Sequence, residues 1–143
     1  MLRNIPAILS PDLLHALRAM GHGDEIVIAD ANFPAESSAR RVIRLDGVSA
    51  TDTLGALLQL MPLDTFDPTP ALTMQVVDEP DTVPEIVAAF QRIIDQCADH
   101  SAPLGSLERF KFYERARTAY AIVQTGEQRL YGNIILKKGI IRP

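Results

Sequence analysis

The sequence predicts an α/β fold in which a central mixed sheet is flanked by helices. Short apolar runs typical of buried strands alternate along the chain with longer segments whose apolar residues recur at helical spacing. The 143 residues, 47% of them apolar, suffice for one compact domain, and we expect residues 1–143 to form it. No linker, internal repeat or low-complexity segment divides the chain.

Four helices are predicted from capping residues and apolar spacing. The first begins with the Ser-Pro-Asp segment Ser10–Asp12, which supplies an N-cap, a proline at the first helical position and an early carboxylate. It ends at Gly21. Residues 51–60 and 84–97 carry apolar side chains at helical spacing, and a short helix is predicted near residues 113–118.

Six strands are predicted from short apolar runs that lie between turn residues. They span residues 25–29, 42–45, 72–77, 107–112, 120–124 and 133–137. The fourth is predicted to run directly into the short helix that follows it. The ends of these strands matter for function, because binding residues in α/β sheets gather on the loops there.

The charge and the cysteine content exclude several classes of protein. A net charge of −4 without any basic run argues against binding to nucleic acid or to anionic membrane surfaces. The apolar runs are too short to span a bilayer, and residues 1–7 lack the apolar core of a signal peptide. The single cysteine, Cys97, suits a reducing compartment. We therefore expect a cytoplasmic protein.

His22 is the histidine best suited to chemistry. It lies between Gly21 and Gly23, after a predicted helix and before a buried strand, so its imidazole is uncrowded and close to a strand end. By contrast, His15 lies within a helix and His100 in a polar loop, both positions typical of surface histidines. The alternative role for His22 is to close its own loop by hydrogen bonding.

Further polar and aromatic residues lie at other predicted strand ends. Asp30 follows the first strand, where its carboxylate either points into a crevice or closes an Asx turn. Asp64 is either a functional carboxylate or a turn residue. The segment Glu108–Arg115 interleaves aromatic and charged side chains, which suits a sugar, and Tyr131–Asn133 precedes the last strand.

Several common catalytic motifs are absent from the sequence. There is no phosphate-binding glycine loop, no dinucleotide fingerprint and no Gly-x-Ser-x-Gly elbow. No histidine or cysteine pair has the spacing of metal ligands, so we expect neither a metal nor a cofactor. A histidine, carboxylates and tyrosines remain, and this set suits proton transfer on a small polar molecule.

Several segments together resemble the ribose pyranase and fucose mutarotase (RbsD/FucU) family. They occur in the family order and are Met20–Ile26, Asp30–Pro34, Ile43–Gly47, Pro62–Thr65, Phe112–Ala116 and Tyr131–Gly139. The resemblance extends from about Leu9 to Gly139. Gly-His-Gly-Asp, Phe-Tyr-Glu-Arg-Ala and Tyr-Gly-Asn resemble the fucose branch of the family rather than the ribose branch.

This resemblance implies an isomerase that interconverts the α and β anomers of free L-fucose without a cofactor, with other free monosaccharides as further candidate substrates. It implies catalytic roles for His22, Asp64 and Tyr113 and sugar-binding roles for Asp30, Met74, Arg109, Tyr131, Gly132 and Asn133. His22 would be the general acid or base and Asp30 would bind or orient beside it, while the pair that transfers the protons stays open. Met74 has an equal alternative as a core residue of its strand.

The resemblance also implies a homo-oligomeric ring, often a decamer, with sugar sites near subunit contacts. The apolar segment Ile134–Ile141 is consistent with such a contact, because it would need to be covered. We expect His22 and Asn133 of one working site to come from different chains. Two alternatives remain, a ribose pyranase and a non-catalytic sugar-binding or transport-accessory ring; a lyase or isomerase of another carbonyl compound ranks third.

Overall fold

The computed structural model describes residues 1–143 as five helices and six strands. The helices are α1 (Pro11–Ala19), α2 (Ala35–Ser38), α3 (Ala50–Leu58), α4 (Glu85–Cys97) and α5 (Arg109–Thr118). The strands are β1 (Glu25–Ala29), β2 (Val42–Leu45), β3 (Ala71–Met74), β4 (Gly105–Leu107), β5 (Ala121–Thr125) and β6 (Ile134–Lys137). No helix is long and apolar enough to cross a membrane.

The six strands form one mixed sheet in the order β2-β5-β1-β6-β3-β4. Five strands run parallel, and only β6 runs in the opposite direction, between β1 and β3. Ile28, near the end of β1, therefore pairs with Ile134 at the start of β6. This arrangement confirms the predicted mixed sheet, and it brings the start of β6 to the edge where the parallel strands end.

Helices cover both faces of the sheet. Along β1, Ile26 and Ile28 belong to a core of 26 buried residues shared with α1, α3 and α4. Val27 and Ala29 point the other way, into a smaller core of 10 buried residues shared with α2 and α5. Because successive side chains of a strand alternate between faces, a strand covered on both faces is apolar throughout. This explains why the central strands are continuous apolar runs in the sequence.

Most predicted elements are present, and the errors have local causes. Strands β1 and β2 have the predicted bounds, and the Ser10 hydroxyl accepts from the Leu13 N–H as the predicted cap of α1. The fourth strand is predicted at the wrong residues: β4 ends at Leu107, and residues 109–112, predicted as strand, form the start of α5. The Glu108 carboxylate accepts from the backbone N–H groups of the first turn and caps this helix.

Three further features differ from the sequence-based expectations. Strand β3 ends at Met74 rather than at residue 77. The chain turns back between Val76 and Glu79, where Asp78 lies in the left-handed region at φ 62°. The four-residue helix α2 was not predicted, since it is too short to show a periodicity. The apolar C-terminal segment is covered largely by its own chain, because Ile134–Lys137 is a strand in the middle of the sheet. Only Ile140 and Ile141 at its end are exposed.

Candidate active site

Asp30, Met74 and Asn133 meet at the edge of the sheet where the parallel strands end. Asp30 follows β1, and Met74 is the last residue of β3. Asn133 precedes β6, and it reaches the same edge because β6 is the one antiparallel strand. Crevices at the carboxyl ends of parallel strands are the usual location of ligand sites in α/β sheets. The topology therefore brings together three residues that are up to about a hundred positions apart in the chain.

Helix α5 completes the cavity with two side chains. Arg109 and Tyr113 are four residues apart, so they lie on the same face of the helix. The Arg109 guanidinium lies 5.7 Å from the centre of the Tyr113 ring. The resulting cavity has a volume of about 200 Å³. It is lined by Asp30, Asn32, Phe33, Met74, Val77, Arg109, Tyr113, Leu130, Tyr131 and Asn133.

Asp30 and Asn133 are joined by two hydrogen bonds. The Asn133 side-chain amide donates to Asp30 Oδ2 over 2.9 Å, and the Asp30 backbone N–H donates to Asn133 Oδ1 over 2.9 Å. Burial raises the pKa of Asp30 above its ordinary value, although the N–H groups of Asn32 and Asn133 counteract this. A buried carboxyl group with a raised pKa in a cleft is suited to exchanging protons with a ligand.

Tyr131 has an unusual backbone conformation. Its φ of 63° lies in the left-handed region, which is rare for a large side chain and is often found at functional sites. Its hydroxyl accepts a hydrogen bond of 3.2 Å from the Val77 N–H. The next residue, Gly132, lies behind the cavity and does not line it. A Cβ there would come within 2.8 Å of Glu127 Cγ.

His22 and Asp64 form a second constellation. His22 Nε2 lies 3.1 Å from Asp64 Oδ1; the histidine side chain is 45% exposed and that of the aspartate only 6%. The imidazole also contacts Phe66, with 5.2 Å between the ring centres. Burial raises the pKa of Asp64, but the Phe66 N–H and His22 outweigh it, so the pKa is lower than its ordinary value. The aspartate is therefore a fixed negative charge that orients the imidazole.

The two constellations lie at opposite ends of β1. His22 precedes this strand, and the Asp64 N–H donates to the carbonyl of Lys137 at the far end of β6. Asp30 follows the strand, and five residue steps separate the Cα atoms of Glu25 and Asp30 by about 16 Å. Of the three predicted catalytic residues, His22 and Asp64 are thus paired with each other, whereas Tyr113 lines the cavity with Asp30.

Sequence reasoning did not assign several residues that shape these sites. Phe33, Val77 and Leu130 supply apolar walls of the cavity, and Phe66 packs on His22. Phe33 lies inside the Asp30–Pro34 segment, and the resemblance of that segment to the family is a sequence signal that could have identified it. No sequence signal identifies Val77, Leu130 or Phe66, because single apolar residues in loops are common. The structure contains no group of three or more histidine, cysteine or carboxylate side chains able to hold a metal ion.

The chain is similar to known proteins over its whole length. The model of the "RbsD / FucU transport protein family" matches residues 3–141. A protein named fucose mutarotase from Bos taurus is 47% identical, and the match covers 100% of this chain and 96% of that protein. The human fucose mutarotase is 46% identical, with 98% of this chain and 94% of that protein covered.

Solved structures agree with these sequence matches. The fucose mutarotase of Streptococcus pneumoniae, in complex with L-fucose, superposes with a TM-score of 0.92 at 47% identity. That match covers 99% of this chain and 100% of the other. Bacillus subtilis RbsD complexed with D-ribose gives a TM-score of 0.78 at 23% identity, covering 99% and 100% of the two chains. At that identity the likeness concerns the fold alone.

Proposed function

Because the chain belongs to the RbsD/FucU family, we propose that it is an isomerase that interconverts the α and β anomers of free L-fucose. The observation that carries this proposal is the full-length identity of 46–47% with proteins named fucose mutarotase, from mammals to Streptococcus pneumoniae. The family prediction made from the sequence motifs is confirmed by the same matches.

The cavity around Asp30 offers both kinds of surface that a pyranose needs. Asp30, Asn133 and Arg109 present hydrogen-bonding groups suited to ring hydroxyls. The aromatic rings of Phe33 and Tyr113, whose centres are 5.4 Å apart, supply an apolar wall for the C–H face of a sugar. This division of polar and apolar groups supports the cavity as the sugar site.

The reaction requires two proton transfers and no electron transfer to or from a cofactor. A base removes the proton of the anomeric hydroxyl while an acid protonates the ring oxygen, and the bond from the anomeric carbon to the ring oxygen breaks. Rotation about C1–C2 of the open aldehyde and closure in the reverse sense give the other anomer. A positioned acid–base pair contributes about 10²–10⁴-fold to such a step.

We assign His22 as one proton-transfer group, oriented by Asp64, and Asp30 as a sugar-binding or proton-transfer partner. Since the two lie at opposite ends of β1, a working site needs His22 from a neighbouring subunit. Exposed apolar side chains accompany both: Phe66, 65% exposed, contacts His22, and Leu130, 68% exposed, lines the Asp30 cavity. Such side chains are suited to a contact between subunits. A decameric ring and a cytoplasmic location remain predictions.

The activity is tested by NMR saturation-difference measurements of anomer exchange on a panel of free sugars. We expect the purified chain to accelerate exchange of L-fucose at substoichiometric concentration. Faster catalysis of ribose ring interconversion than of L-fucose exchange would favour the ribose pyranase. Sugar binding without accelerated exchange would favour the non-catalytic ring.

The shared site is tested by mixing two variants that each retain only a small residual activity. His22→Ala and Asn133→Ala proteins, unfolded together and reassembled, should regain part of the activity, because some sites in a mixed ring contain both intact residues. Each variant reassembled alone is the control and should keep only its own residual rate. Mixed rings that are demonstrated by mass spectrometry yet show no recovered activity would overturn the shared site, because no site would then combine His22 of one chain with Asn133 of another.

A further inference from the structure

An ion pair between the buried carboxylate of Glu127 and the partly exposed guanidinium of Arg129 lies beside the Asp30 cavity, and the mechanism above does not use it. The Glu127 side chain is 5% exposed. Its Oε1 accepts from Arg129 Nε and its Oε2 from Arg129 Nη2, each over 2.9 Å. Two parallel charge-assisted hydrogen bonds of this kind fix the relative orientation of both side chains.

The pair is anchored to two helices that pack against the sheet. Glu127 Oε2 accepts from the N–H of Ala50, the first residue of α3, over 3.3 Å. Arg129 Nη1 donates to Glu85, the first residue of α4, over 3.3 Å. Hydrogen bonding from the Arg129 side chain is the main reason why the pKa of Glu127 falls to about 2. At neutral pH the carboxylate is thus a permanent charge and not a proton donor.

Glu127 contacts the chain on both sides of the Asp30–Asn133 hydrogen bonds. Its backbone carbonyl accepts from the N–H of Ala31, directly after Asp30, over 2.8 Å. Its side-chain stem packs against Gly132, directly before Asn133, where a Cβ would lie 2.8 Å from Glu127 Cγ. A displacement of Glu127 would therefore be transmitted to both residues of this hydrogen-bonded pair.

The segment between the ion pair and Asn133 also contains the left-handed Tyr131. A large side chain keeps such a backbone conformation only where its surroundings hold it. Arg129 is held two residues before Tyr131, and Gly132 is packed one residue after it. These two restraints lie on either side of Tyr131. We term residues 127–133, which contain both restraints, the 127–133 loop.

We infer that Glu127 and Arg129 are positioning residues for the sugar site, holding the 127–133 loop so that Asn133 stays bonded to Asp30. The pair touches no residue of the cavity through its charged groups and acts through Asn133. The catalytic part of this inference rests on the proposed function, whereas the positioning itself is independent of it.

A double-mutant cycle between Glu127 and Asn133 tests the inference. We expect Glu127→Gln to slow L-fucose exchange by about fivefold or more, and Glu127→Gln combined with Asn133→Ala to be no slower than Asn133→Ala alone, within about twofold. If the two residues acted independently, the rate losses of the two single variants would multiply in the double variant. A double variant with this multiplied loss would overturn the inference. Arg129→Lys, which retains the charge but not the planar fork, is the second variant if Glu127→Gln does not fold.

A matched control is the ion pair between Glu25 and Arg115 at the other end of β1. Arg115 donates to both oxygens of Glu25, whose side chain is 12% exposed. Arg115→Gln therefore removes a comparable interaction far from Asn133, and its effect should multiply with that of Asn133→Ala. If Arg115→Gln instead caused no further loss of exchange rate in the Asn133→Ala background, a general destabilisation of the fold would explain the Glu127 result. That outcome would overturn the inference.

Hydrogen exchange supplies a measurement that does not depend on catalysis. The backbone N–H groups of Asp30 and Ala31 are bonded to Asn133 Oδ1 and the Glu127 carbonyl. In Glu127→Gln a peptide spanning residues 29–33 should exchange faster than in the wild type, and in Arg115→Gln it should not. Unchanged exchange in Glu127→Gln would overturn the positioning role, whereas a wild-type chain without anomer exchange would overturn only the proposed function.

Discussion

Asp30 and Asp64 are both buried carboxyl groups, yet their surroundings shift their pKa values in opposite directions. Asp30 is 6% exposed and Asp64 is 4% exposed. Asp30 accepts hydrogen bonds from neutral N–H groups, so burial dominates and raises its pKa. Burial also raises the pKa of Asp64, but the Phe66 N–H and the imidazole of His22 outweigh it and lower the pKa.

Burial alone therefore does not decide the role of a carboxyl group. A group with a raised pKa in a cleft is able to take up a proton during the reaction, whereas one with a lowered pKa serves as a constant charge. The end of the sheet with Asp30 is thus suited to contact the sugar, and the end with Asp64 is suited to orient His22.

The largest effect is expected from substituting His22, the proposed proton-transfer group, or Asp30, its proposed sugar-binding or proton-transfer partner. His22→Gln should slow anomer exchange at least about tenfold and up to the ~10²–10⁴-fold of a positioned acid–base group, and Asp30→Asn should do likewise. The control is His15→Gln, an exposed residue of α1 that should leave exchange unchanged. NMR saturation measurements give the rates. Full activity in folded His22→Gln would refute its proton-transfer role.

The Asp30 end and the His22 end of the sheet should also differ in how much stability a Gly→Ala substitution costs. A Cβ at Gly132, behind the Asp30 cavity, would clash with Glu127 and Ile86, so Gly132→Ala should cost about 1–3 kcal/mol of unfolding free energy. A Cβ at Gly21, beside His22, would meet only ordinary contact at 3.8 Å. Gly21→Ala should therefore be close to neutral in urea unfolding. Equal losses in both variants would contradict the difference between the two ends.

The pH dependence of stability should have opposite signs at the two carboxyl groups. The lowered pKa of Asp64 means that its stabilising contribution exists above the ordinary value of 3.8 and is lost as pH falls through the folded-state pKa. The raised pKa of Asp30 means that its contribution is full below 3.8 and is lost as pH rises through the folded-state pKa.

Urea unfolding at fixed protein concentration measures both trends. The stability difference between the wild type and Asp64→Asn should grow as pH rises through the acid range. The difference between the wild type and Asp30→Asn should shrink over the range above the ordinary aspartate pKa. Comparing each variant with the wild type at every pH removes any constant effect of the substitution. Stability differences that change with pH in the same direction for both variants would contradict the opposite pKa shifts of Asp30 and Asp64.

The smallest expected effect concerns metal removal. The sequence lacks histidine or cysteine pairs at ligand spacing, and the proposed reaction needs only proton transfers. Prolonged chelation, followed by metal analysis of the protein, should leave anomer exchange unchanged. Activity that is lost on chelation and restored by one divalent ion would show that the mechanism is incomplete.

Much of the fold follows from local signals in the sequence. The Ser10 cap and the continuous apolar run of β1 act over a few residues, so α1 and β1 were predicted close to their actual bounds. The segment around Glu108 was misread because its aromatic residues resemble a strand, while the cap that starts α5 is a single glutamate. Single residues of this kind carry a weak signal until the helix itself is seen.

The candidate site was predicted residue by residue but not as an arrangement. Asp30, Arg109 and Asn133 were each identified from motifs and from the family resemblance, and they do line one cavity. His22 and Asn133 of one working site are predicted to come from different chains, and within one chain His22 pairs with Asp64, at the other end of the strand from Asp30 and Asn133. Spacing along the chain does not reveal which strand end a loop reaches, because that depends on strand direction.

By itself the sequence determined the alternation of helices and strands, the family and the set of residues able to move protons, since capping, periodicity and side-chain chemistry are local properties. Only the tertiary structure decided that β6 runs antiparallel, so that Asn133 bonds Asp30, which precedes it by 103 positions. It also decided that Asp64 faces a histidine while Asp30 faces amides. These properties depend on burial and on charges brought close by packing, and both arise only when distant segments meet.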